Sequence, residues 1–191
     1  MNRTWVVIMF IITILFVSCK SDYEKLVKSE LATGEVYEDL IFDMKMGQTQ
    51  KEFFAICWDL NKRKVISQGP KNEYVRYEME PNEIPNEPER VEMLFYGLFD
   101  EQKVMRGFRK RFSYLGWSLW NEEFHSDKLA EKLKGYYLKN YGGNDFMEID
   151  EGLEQIKTYV KVDGNRQILI YPFDSKDVVV KIEDNRYKLS K

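Results

Sequence analysis

The chain has 191 residues, with 29 Lys and Arg against 32 Asp and Glu and a formal net charge of −3. That balance excludes a protein built as a whole to hold nucleic acid, which calls for a strong basic face. The length suits one domain, an aromatic share of 15% supplies a core, and two cysteines exclude a disulfide-stapled scaffold.

The first elements lie at the N-terminus. Arg3 gives a positive start, and Trp5 to Val17 is apolar but for Thr13. Small Ser18 and then Cys19 follow, and from Lys20 the chain turns polar. At ~1.5 Å per residue this apolar run is short for a hydrocarbon layer of ~30 Å. Charge, short apolar core, small residue and cysteine in that order predict a secretory signal over residues 1–18 ending at a lipid-attachment cysteine. The alternatives are a signal cut elsewhere and an ordinary N-terminal transmembrane anchor.

Leu15-Phe16-Val17-Ser18-Cys19 resembles the lipobox of bacterial lipoproteins in its relaxed, Bacteroidetes-type form, with Phe16 and Val17 where the family usually has Leu and a small residue. The resemblance implies cleavage before Cys19, acylation of that residue, and a place in the cell envelope, the outer membrane rather than the inner. Lys20-Ser21-Asp22-Tyr23-Glu24 resembles the charged stretch that directs some of these lipoproteins to the outer leaflet. Two or three acyl chains at ~0.8 kcal/mol per buried CH₂ would anchor the chain stably. Removing residues 1–18 takes away one basic residue, Arg3, and no acidic one, so 28 Lys and Arg face 32 Asp and Glu.

With Cys19 lipidated, Cys57 has no partner for an intrachain disulfide. Its neighbours Phe53, Phe54, Ile56, Trp58 and Leu60 point to a buried thiol acting as a small hydrophobe. The only histidine, His125, is far off in sequence, so no Cys–His pair is indicated.

Residues 19–45 read as a tether in which residues 23–31 can form two helical turns, stopped by Gly34. Thr49 and Glu52 make a capping box, and Phe53, Ile56, Cys57 and Leu60 recur at helical spacing, which predicts a helix over 50–62. Strand-like runs follow at 73–80, 91–99 and 104–114, the first two separated by a proline-rich loop, 81–90. After an aromatic connection, 115–125, Ser126 or Asp127 caps a second helix with Leu129, Leu133, Tyr136 and Tyr137 on one face, stopped by Gly142-Gly143. Strands are expected at 154–162, 166–172 and 177–184. A three-residue loop, Asp163-Gly164-Asn165, would set Val160 opposite Ile168 and put both apolar sets on one face.

Helix and three strands thus occur twice. The order predicts a single α+β domain over 46–191, an antiparallel sheet with helices on one face, and an internal duplication with halves 46–115 and 126–191. Met46-Gly47-Gln48-Thr49-Gln50-Lys51-Glu52-Phe53 resembles the Gly-Met-Thr helix opening of SmpA/BamE-like lipoproteins, with Met and Gly reversed, and the element order resembles the BLIP-like fold. These resemblances imply a small α/β envelope domain and carry no catalytic residue across.

Two constellations stand out. Lys103, Arg106, Arg109, Lys110 and Arg111 place five basic residues in nine. A hairpin with Glu101-Gln102 at its tip would pair Asp100 with Lys103 and Glu92 with Arg111, with Phe95 opposite Phe108. That leaves Arg106, Arg109 and Lys110 as candidate binding cations. Tyr114, Trp117, Trp120 and Phe124 are amphipathic aromatics inside a connection, suited to stacking on sugars or gripping a protein partner, or to filling the space between the halves.

No metal or cofactor is expected. His125 lacks ligands at metal spacing, residues 144–151 are acidic without the order of a calcium loop, and neither a phosphate loop nor a nucleophile elbow is present. The expected function is a lipid-anchored, non-catalytic module that binds another envelope protein or a glycan. The rival readings are a glycan hydrolase using paired carboxylates, of which Glu122-Glu123 is one such pair, and a structural outer-membrane assembly factor.

Overall fold

The computed structural model describes residues 22–150 and 157–188. The leader, Cys19 and the first residues of the strand expected at 154–162 lie outside the described residues.

The sequence signals produce their elements directly. Asp22–Thr33 forms helix α1, longer than the two turns expected. Helix α2, Gln50–Lys62, starts where the capping box sets it: Thr49 Oγ1 accepts from the Glu52 amide at 3.3 Å, and the Glu52 carboxylate accepts from the Thr49 amide at 2.7 Å. A cap of this kind is worth ~1 kcal/mol. Helix α3, Ser126–Tyr141, ends at Gly142, and a short α4 covers Asn185–Lys188.

Eight strands form one antiparallel sheet. They are β1 (Ser67–Gln68), β2 (Val75–Met79), β3 (Val91–Phe99), β4 (Met105–Tyr114), β5 (Met147–Asp150), β6 (Lys157–Asp163), β7 (Arg166–Pro172) and β8 (Val178–Asp184). Their spatial order is β1-β2-β3-β4-β8-β7-β6-β5, a palindrome in which the last strands of the two halves meet at the centre. The expected order of helix and three strands, twice, is present, and each half gains one short edge strand.

Alternation divides the sheet into two faces. On one, Met93, Phe95, Phe108, Phe112, Ile168, Ile170, Val178, Val180 and Ile182 pack beneath α2 (Phe53, Cys57, Leu60) and α3 (Leu129, Leu133, Tyr136, Tyr137). This is the main core, each large side chain contributing ~1.5–3 kcal/mol by burial. On the other face Val160, Val162 and Leu169 pack under Val27, Leu26 and Leu31 of α1. Cys57 is buried as expected, and burial pushes its thiol up to about 11.

That second layer corrects the register expected for β6 and β7. Val160 pairs with Leu169, not Ile168, and the turn is the two-residue Gly164-Asn165, with Asp163 opposite Arg166. The expectation placed both apolar sets on one face, but this part of the sheet is covered on both sides. Gly164 has φ +52, and a Cβ there would meet the Glu35 carbonyl oxygen at 2.4 Å, so the tight turn depends on glycine.

The β3–β4 hairpin is also two residues out of the expected register. Phe95 faces Lys110, Glu92 faces Ser113 and Phe99 faces Met105, with a bulge between Leu98 and Phe99. Lys103 takes the left-handed conformation (φ 60) in a five-residue connection that closes through Asp100 and Val104, so Asp100 pairs with Arg106 rather than Lys103. A shift of two preserves the faces, so Phe95, Phe108 and Phe112 still point into the core.

At the β6–β7 turn, buried charges pair in one cluster, although the Arg166 Nε has no hydrogen-bond partner among the described residues. Lys161 lies 2.8 Å from Asp163 and donates to the Asn144 carbonyl. Arg166 reaches Asp163 and the Tyr141 carbonyl, its guanidinium 4.8 Å and 4.7 Å from the Tyr37 and Tyr141 ring centres. Among the described residues, no helix is long and apolar enough to cross a membrane.

Candidate binding face of the sheet

Helix α1 packs on the outer face over β5, β6 and β7. Over β2, β3, β4 and β8 that face carries half-buried Tyr96, Arg109, Arg111 and Lys181 around buried Leu94 and Val179, and α1 does not join them in its apolar layer. Register fixes its rows. Tyr96 on β3, Arg109 on β4, Lys181 on β8 and Leu169 on β7 stand side by side in one row, and Arg76, Leu94, Arg111 and Val179 in the next.

Aromatic rings border these rows. Tyr74 packs edge-on against Tyr96 at 5.3 Å between ring centres. The Arg111 guanidinium lies 5.8 Å from the Tyr74 ring and 5.4 Å from that of Phe173, and its charge meets Asp177 at 3.5 Å. Arg76 is paired to Glu78 and Glu92. Arg109 and Lys181 have no ion-pair or hydrogen-bond partner among the described residues.

The structure disperses the residues singled out in the sequence. Arg109 lies on the open face. Arg106 occupies the bulge, 2.7 Å from Asp100 and stacked 3.6 Å over the Tyr187 ring, and so is consumed locally. Lys110 points the other way. It is only 1% exposed, its Nζ has no hydrogen-bond partner, and it sits among Phe108, Tyr137 and Phe95 in the main core. It supplies no charge to an outer surface, and burial holds its amine down at about 7.

Tyr114 is likewise a core residue, 2% exposed. Its hydroxyl donates to the buried carboxylate of Glu87, which also accepts from Lys132 at 2.6 Å. Burial alone would push Glu87 up, but the Lys132 and Tyr114 hydrogen bonds outweigh it and hold the carboxyl below its ordinary range. Phe124 stacks on Tyr114 at 4.9 Å. Trp117 is half-buried against the core, and its indole donates to the Ser175 carbonyl at 3.2 Å. Trp120 alone of the four aromatics projects fully, at 90% exposure. The aromatic connection thus plugs the sheet end through Tyr114, Trp117 and Phe124, and leaves Trp120, Leu119 and Leu115 exposed.

His125 precedes α3 with its ring against the Leu119 carbonyl. Glu122 and Glu123 are exposed on a 3₁₀ turn. Among the described residues no cluster of three or more His, Cys, Asp or Glu could hold a metal.

Sequence reasoning passed over Lys181, Tyr96, Tyr74 and Phe173. The signal for Lys181 was present: a lone cation in Val178-Val179-Val180-Lys181-Ile182 faces opposite to Val180 and Ile182. It also passed over Phe54 and Trp58, which project from α2 at 57% and 77% exposure.

No family model matches the chain, and no curated protein sequence does. Among solved structures, a DUF4309 family protein (YjgB) from Bacillus subtilis subsp. subtilis str. 168 aligns over 84% of this chain and 96% of its own, at 12% identity and a TM-score of 0.36.

Proposed function

We propose that the protein is a lipid-anchored component of the cell envelope, at the outer membrane, whose globular part is a non-catalytic binding module. The anchor rests on the leader and Cys19, read from sequence. The binding role rests on one observation: α1 packs on the outer sheet face over β5, β6 and β7, and beyond it the same face carries half-buried rings and cations, Tyr96, Arg109, Arg111 and Lys181. Tyr and Phe rings beside guanidinium groups offer contact area at low entropic cost, the composition of a recognition surface.

Two measurements test the reading. Intact mass of the native product should show a chain beginning at Cys19 with added acyl mass; a chain retaining residues 1–18, or lacking acyl mass, would remove the anchor. Binding of the full chain to isolated envelope fractions should fall at least tenfold for Tyr96→Ala/Phe173→Ala with an unchanged melting temperature. Unchanged binding would remove the sheet face.

A further inference from the structure

We propose that Arg109 and Lys181 together form an anion-binding site at the centre of the open sheet face, taking a carboxylate or phosphate group of a ligand whose body lies against Tyr96. This deepens the binding-module reading and rests on it for the use of the face.

One pairing on this face is disfavoured by folding alone. β4 and β8 bring Arg109 and Lys181 directly opposite each other, where Cβ atoms stand ~4.5–5.5 Å apart and like charges destabilise. The other cations of this part of the sheet are paired to acids or turned into the core. Arg76 has Glu78 and Glu92, Arg106 has Asp100, Arg111 has Asp177, and Lys110 is in the core. Arg109 and Lys181 have none among the described residues. Their row neighbours are Tyr96 and Leu169 rather than carboxylates. Glu183, the one acid nearby on β8, stands a row away opposite Gly107 and is engaged in an interaction of its own.

The geometry also fits a ligand. Both cations are half-buried, so their heads stand on a floor of sheet and lose part of their water, which strengthens attraction to an anion. One offers a planar fork of donors and the other a point charge, a combination that suits a carboxylate or phosphate oxygen set.

The test is thermal melting of the full chain in detergent, with pyrophosphate or oligogalacturonate against chloride at matched ionic strength. The comparison is wild type against Arg109→Gln/Lys181→Gln. General salt effects move both chains alike. At ten times Kd the wild type should gain about 3–5 °C more than the double variant. In chloride the double variant should melt at the same temperature or higher, because the repulsion is gone. A larger response to pyrophosphate assigns phosphate, and a larger one to oligogalacturonate assigns carboxylate. Equal shifts in the two chains, or a double variant that melts lower in chloride, would overturn the site. Envelope binding lost with Tyr96→Ala/Phe173→Ala but kept in Arg109→Gln/Lys181→Gln would overturn this site alone and leave the face as a binding surface.

Discussion

The Lys110 amine lies 5.1 Å from the centre of the Tyr137 ring, and neither its Nζ nor the Tyr137 hydroxyl has a hydrogen-bond partner among the described residues. A buried polar atom without a partner costs ~1–3 kcal/mol. Lys110→Met removes the amine and keeps the length of the side chain. It should stabilise the fold by ~1–4 kcal/mol at neutral pH, seen as a melting temperature several degrees higher.

The same amine sets a pH dependence. Burial lowers Lys110 from an ordinary 10.5 to about 7. Between these values the unfolded chain binds a proton that the folded chain lacks, so stability from this group rises with pH across that window and is flat below it. Above about pH 10 the buried Tyr137 and Tyr141, whose hydroxyls burial pushes up, act in the opposite sense. Chemical denaturation at pH 7 and pH 9 should show the wild type more stable at pH 9, and Lys110→Met should lose most of that gain.

Glu87 is 2% exposed, and its carboxylate accepts from three donors, the Tyr114 hydroxyl, the Lys132 amine and the Glu89 amide. Tyr114→Phe removes one neutral donor and should cost ~1–2 kcal/mol. Lys132→Met leaves a buried carboxylate without its counter-charge and should cost more, ~3 kcal/mol. Since the folded carboxyl is held down, the stability it brings is present above the ordinary carboxylate range and is lost as pH falls through its lowered value. Urea titrations of the two variants give the order directly.

Trp117 and Trp120 should separate cleanly. Trp117→Ala removes a half-buried indole and its bond to Ser175, and should cost ~2 kcal/mol or more. Trp120→Ala, at a 90% exposed position, should stay within ~0.5 kcal/mol of wild type. Equal losses would mean that the two rings share one environment.

Much of the main core was legible from spacing. The helix over 50–62 announced itself through Thr49 and Glu52, and Leu129, Leu133, Tyr136 and Tyr137 marked the buried face of α3. Lys110 was legible too: alternation between Phe108 and Phe112 already put it on the apolar face, although its charge argued for the surface. Hidden from sequence was which strand would lie beside β4. The last strands of the two halves meet only through tertiary packing, so no local pattern could bring Arg109 and Lys181 together. The β6–β7 register failed for a related reason. Val160, Val162 and Leu169 needed a second apolar cover, α1, and nothing in β6 or β7 names the element that supplies it.

The central claim is that the uncovered sheet face is where the module meets its partner. Photo-crosslinking in the intact cell envelope tests it most directly, with a benzophenone side chain placed at Tyr96 or, as a control, at exposed Lys139 on the outer side of α3. The account predicts adducts from position 96, weakened by Arg109→Gln/Lys181→Gln, and none above background from position 139. Adducts from 139 alone, or of equal yield from both, would contradict it.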